Sequence, residues 1–182
     1  MNKLILYIRN RIVIDKNNRL EIDKSVKIRN SRIKIRGTGN KLVLEKGCNL
    51  YGVNIEIRGE NSLIKIGANS IIGKNTYLSA KEGCDITIGE DCMFSRNINI
   101  MTSDGHGILQ NDKRINNAKS IEIGNHVWLA DNVTILKGSK ISDNSVVGIG
   151  SIVTKKFEEK NLLIVGNPAK VVKKDVNWKN EL

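Results

Sequence analysis

Aliphatic residues recur along this chain at every sixth position. From Ile123 they fall at Leu129, Ile135, Ile141, Val147 and Val153 without interruption. Four residues after each slot comes a small or β-branched residue: Val127, Val133, Ser139, Ser145 and Ser151. An earlier run, Ile66, Ile72 and Leu78, has the same phase, with Ser70 and Thr76 in the small positions. The next slot would be Cys84; there the register shifts by four and resumes at Ile88, Phe94 and Ile100. Neither a helical nor a simple strand period gives this spacing. Six residues suit one short strand and a bend, three such units close a triangular coil, and coils stack at about 4.8 Å. Gly67, Gly73, Gly89, Gly124 and Asn132 fall at the bends, where positive φ is easiest for Gly and Asn. The pattern predicts an all-β parallel solenoid in one domain. Residues 1–41 are expected as a cap or irregular first coil, 42–165 as the coil with a loop at 101–120, and 166–182 as a tail opened by Gly166-Asn167-Pro168-Ala169.

The repeat stops between Ile100 and Ile121. A rigid coil that leaves its period for about twenty residues commonly places function there. Ser103-Asp104-Gly105-His106-Gly107 within this break is small and polar, so an accessible imidazole is expected.

Composition narrows the picture. The apolar residues are mostly Ile, Leu and Val, with seven aromatics and one proline, which suits packed strands. No apolar run approaches the roughly 18–20 residues of a bilayer span, and Met1–Ile8 makes a poor secretory leader; cytoplasmic residence and no integral membrane segment are expected. Cys48, Cys84 and Cys92 form no CxxC pair, and an odd count argues against a disulfide framework. Cys92 and Cys48 take the small position after Ile88 and Leu44, so cysteine reads as packing. The net charge of +11 is concentrated at the start, where residues 1–36 hold eleven Lys/Arg against Asp15, Glu21 and Asp23. Such a segment either attracts anionic partners or is a solvated sheet edge protected by charge. Tyr7 is its only stacking surface, which argues against nucleic acid.

Four stretches then carry a resemblance: Thr102-Ser-Asp-Gly-His106, Ile123-Gly-Asn-His-Val-Trp-Leu129, Val146-Val-Gly-Ile-Gly-Ser-Ile-Val-Thr-Lys155 and Val165-Gly-Asn-Pro-Ala-Lys170. In this order they resemble the left-handed β-helix hexapeptide-repeat acyltransferases, in the branch of bacterial sugar and surface-polysaccharide O-acetyltransferases. The resemblance implies a left-handed coil and a homotrimer with active sites between neighbouring subunits. It implies acetyl-CoA as donor, a carbohydrate acceptor and no required metal.

It also implies site residues. His106 falls on the catalytic base, a role that suits neutral imidazole because a sugar hydroxyl is too weak an acid to attack a thioester unaided. Asp104 is a candidate to orient that ring, as is a backbone carbonyl. Trp128 is placed near thioester and acceptor. CoA contacts fall on Ala130, Gly148, Ile149, Gly150, Thr154, Lys155, Lys170 and Lys173; at Ala130 the family usually has Gly. His126 reads as a surface or interface residue. Zinc carbonic anhydrases that share the coil need three histidines, and the chain has two. An antibiotic or serine acetyltransferase is the alternative acceptor class, and a non-catalytic scaffold the alternative outside enzymes.

Overall fold

A computed structural model describes Leu6 and residues 8–180; the rest of the opening segment read as a poor leader, Tyr7 included, lies outside the described residues. The chain winds into the expected parallel β-helix with three faces of stacked strands. The first face runs from Arg11–Ile14 through Arg32–Thr38, Asn54–Glu60, Tyr77–Lys81, Asn99–Met101 and Thr134–Leu136 to Ile152–Val153. The second runs from Arg19–Ile22 to Lys156–Phe157, and the third from Lys27–Arg29 to Leu163–Gly166. The aliphatic slots form the predicted ladders: Ile66, Leu78, Ile100, Leu129, Ile135, Ile141, Val147 and Val153 are fully buried, as are Ser70, Thr76, Ser145 and Ser151 in the small positions. A fully buried Val, Leu or Ile contributes about 1.5–3 kcal/mol, against about 0–1 kcal/mol for an exposed ion pair. The interior ladders therefore hold the coil, and the outer face is free for other uses.

Regular coils begin upstream of residue 42, at Arg11, which pairs in register with Arg32. What hides them in the sequence is coil length. Leu42 stacks on Ile64, 22 residues on, whereas Ile123 stacks on Ile141, 18 residues on. The extra residues enter where the first face turns into the second, so the early strands Arg32–Thr38 and Asn54–Glu60 are seven residues long. The four-residue slip after Leu78 is this same enlarged corner. Cys84 sits in it half-buried, unlike Cys48 and Cys92, which are buried in the core. Corners elsewhere carry stacked asparagines at positive φ; Asn75, Asn97 and Asn132 link side chain to side chain at 3.1 and 3.0 Å.

The end of the chain also departs from a free tail. Ala169–Lys173 folds back antiparallel on Leu163–Gly166 and covers the edge of the last coil. Beyond it Trp178 is buried against the third face, its ring stacked on His126 at 4.3 Å. Trp178 Nε1 donates to the His126 carbonyl at 2.8 Å. His126 takes a positive-φ corner position that Asn69, Asp91, Asn144 and Asn161 fill in other coils. It breaks that corner's polar ladder and receives the indole instead.

Candidate active site

The break in the repeat is an outgrowth of the enlarged corner. Thr102 is buried and keeps the place that Ala80 has one coil earlier; its hydroxyl accepts the Lys81 N–H at 2.9 Å. The chain then leaves the coil, forms a small hairpin of Leu109–Gln110 and Lys113–Arg114, and returns at Ile121–Ile123. Lys119 N–H donates to the Thr102 carbonyl at 3.0 Å and closes the neck. One coil below, Glu82 seats the loop by a forked pair with Arg114, at 2.6 and 3.1 Å, and by accepting the Ser103 hydroxyl. These donors hold the Glu82 carboxyl at about 2, well below the usual carboxylate range.

Asn116 is the buried centre of the loop. Its Nδ2 donates to the His106 carbonyl at 2.8 Å and to Asp104 at 2.7 Å, while its Oδ1 accepts the Ile108 N–H at 2.7 Å. Lys137 Nζ, from the next coil, donates to the Asn116 carbonyl at 2.9 Å and pairs with Asp104 at 2.5 Å. Lys137 and Asn116 together lower the Asp104 pKa. The His106 main chain is thus pinned while its side chain stays exposed. The Asp104 carboxylate, expected as the ring's orienting partner, is committed to Lys137 and Asn116; among the described residues it makes no hydrogen bond to the imidazole.

Trp128 and the small residues stand at a different corner. Trp128 lies outward on the third face, and its Nε1 donates to Ser95 Oγ at 3.2 Å. It lines an open groove of about 560 Å³ with Ile71, Met93, Ala130 and Ile149. Trp178 flanks it at 6.1 Å. Gly150, at φ +68°, opens on empty space, and Ile149 is 71% exposed. Ala130 has no positive φ, so alanine stands without strain where the family has glycine.

Thr154 and Lys155 are both exposed and lie at the loop corner, two coils past it. Lys170 and Lys173 lie exposed on the terminal antiparallel strand. One chain therefore gathers Trp128, Ala130, Gly148, Ile149 and Gly150 at one corner and His106, Thr154 and Lys155 at another. The first face stands between them, about six residues or roughly 20 Å across. The motifs gave no sign of Asn116, Lys137, Glu82 or Trp178. A 22-residue offset from Asp104 leads to Glu82 and was the available signal for that one.

A polysialic acid O-acetyltransferase of Neisseria meningitidis is 38% identical over 168 residues, which cover 91% of this chain and 77% of that protein. The chain belongs to the hexapeptide-repeat acyltransferases, in the branch of sugar and surface-polysaccharide O-acetyltransferases. A second member, the polysialic acid O-acetyltransferase of Escherichia coli O1:K1, is 37% identical over 132 residues; the match covers 69% of this chain and only 42% of that longer protein. The solved structure of the polySia-specific acetyltransferase NeuO superposes with a TM-score of 0.78 at 30% identity, covering 96% of this chain and 90% of that one. No family model matches the sequence.

For a member of this family the cysteines are poor nucleophiles. Burial pushes the Cys48 and Cys92 thiols up to about 11, and Cys84 is raised by burial as well. A reactive thiol needs the opposite shift.

Proposed function

We propose that the protein transfers an acetyl group from acetyl-CoA to a sugar hydroxyl of a surface polysaccharide or its precursor, with His106 as general base. The observation that carries this reading is an exposed imidazole on a loop whose main chain is held by buried Asn116. Neutral His106 takes the proton of the acceptor hydroxyl as its oxygen forms a bond to the thioester carbonyl carbon. The C–S bond then breaks, and protonated His106 returns the proton to the departing thiolate. A hydrogen-bond donor at the thioester carbonyl would offset the charge that collects on its oxygen.

The groove fits the donor chemically. Open space stands beside Gly150, which leaves backbone accessible to a pantetheine arm there, while Val165 packs over Gly148. Lys155, Lys170 and Lys173 are exposed and make no ion pair among the described residues, which suits the CoA phosphates. Base and groove lie a face apart in one chain, while transfer needs them within hydrogen-bond reach of one hydroxyl. A homotrimer in which the loop of one subunit meets the groove of the next resolves this. Ile108, Leu109 and Ile115 support it: all three are more than half exposed on the loop, an apolar tip that a neighbouring subunit would cover.

The test is an acceptor panel with acetyl-CoA, read by O-acetyl product. Transfer to acidic or neutral glycans is expected. Transfer confined to amino acids or antibiotics would overturn the acceptor class.

A further inference from the structure

The outer side of the first face carries positive charge that its own structure does not neutralise. Arg11 is the register partner of Arg32, and Arg36, Arg58 and Lys81 stack in register on three successive strands. Like charges placed directly opposite on neighbouring strands destabilise a sheet. On this face Arg36 pairs with Asp15 at 2.9 Å, and Lys81 lies 3.7 Å from Glu56. Arg11, Arg32, Lys34 and Arg58 have no ion pair among the described residues. The second face also sets Arg19 opposite Lys41 and Lys140 opposite Lys156, but there Lys41 pairs with Glu21, Lys65 with Glu45, and Lys140 with Glu122 and Glu158 across the coils. A solvated edge protected by charge needs no such contrast between two faces of one coil.

Among these cations lies a hollow of about 270 Å³, lined by Arg32, Lys34, Asn54, Glu56 and Tyr77. Tyr77 Oη donates to Glu56 at 2.6 Å, which fixes the half-buried ring in place. The hollow offers an aromatic surface for the apolar side of a sugar ring, an amide for its hydroxyls and a guanidinium for a carboxylate. It also has a direction. Tyr77–Lys81 is the immediate neighbour of Asn99–Met101, the strand that runs into the His106 loop. From Arg32 to that strand is three coils, about 14 Å.

We propose that this face is an acceptor track, binding an anionic polysaccharide along the coil axis with one acidic sugar in the Tyr77 hollow and its neighbours leading toward the loop. The inference deepens the proposed function and rests on it for the reaction, though not for binding. Nucleic acid would call for several stacking platforms, and the hollow has one aromatic ring.

The probe is polysialic acid, the polymer for which the Neisseria meningitidis relative is named, as fluorescent oligomers of increasing length. Anisotropy should show affinity rising with length and falling with salt. The double variant Arg32→Ser/Arg58→Ser should weaken long-oligomer binding about tenfold or more. Lys41→Ser/Lys65→Ser, which removes equal charge from the second face, should change it less than about twofold. Melting temperatures of the Arg variants, expected at or above wild type, exclude misfolding. Equal losses in both double variants, length-independent binding, or equally tight binding of single-stranded DNA or anionic vesicles would overturn the track. Strong oligomer binding without acetyl transfer would support the track and sink the reaction. Transfer indifferent to length and to Arg32 and Arg58 would sink the track and spare the reaction.

Discussion

At the scale of single residues, the loop depends on an amide more than on its charges. Asn116 satisfies the His106 carbonyl, Asp104 and the Ile108 N–H from one buried position. Replacing it by alanine leaves those groups without partners, at a cost of about 1–3 kcal/mol. Asn116→Ala is therefore expected to lower kcat about tenfold or more and to sensitise the loop to limited proteolysis, with little change in global melting. Wild-type kcat and protease resistance in that variant would refute the role. The cysteines make the opposite prediction. Cys84→Ser should keep activity within about twofold, since a thiol raised by burial is no nucleophile; loss of transfer with retained fold would point to an acyl-enzyme. His106 and Trp128 were nominated from the sequence because motif and residue chemistry coincide there. Asn116 was not, since one asparagine in a run of polar loop residues carries no periodic or motif signal. Trp178 was missed because its partner, His126, is 52 residues away.

At the scale of elements, the loop and the corner beneath it form one electrostatic unit. Arg114 and Ser103 hold the Glu82 pKa near 2, and Lys137 and Asn116 lower that of Asp104. A carboxylate depressed on docking stabilises the docked state fully above its undocked pKa and loses that contribution as pH falls through the docked value. For Glu82 the window runs from 4.5 down to about 2. Hydrogen exchange at the Ile108 and Ile115 amides should thus stay protected from neutral pH to pH 5 and weaken only below that window's upper edge. Loss of protection between pH 7 and pH 5 would contradict the role of Glu82. The 18-residue coils after the loop could be read directly as hexads. In the 22-residue coils before it the hexads show only as separate runs, such as Ile66, Ile72, Leu78 and Ile88, Phe94, Ile100, because extra residues at one corner dephase every slot on the next face. The loop grew at a place that four earlier coils had already enlarged, and only the register reveals this.

At the scale of the whole molecule, rigidity separates the two halves of the proposed site, which the chemistry requires together. The first face keeps the Trp128 groove roughly 20 Å from the loop corner, so a shared site predicts complementation. In the proposed trimer, co-expressed His106→Ala and Trp128→Ala chains should mix, and about a quarter of the interfaces would combine an intact loop with an intact groove. Activity absent from each variant alone should return in the mixture; its absence from verified mixed trimers would place base and groove in one subunit. The role of His106 is tested by the initial rate of CoA thiol release with acetyl-CoA and a glycan acceptor, for wild type and His106→Ala. A fall of roughly 100- to 10,000-fold, with melting temperature and CoA binding unchanged, is the predicted result. An unchanged rate would contradict the assignment of His106 as the base.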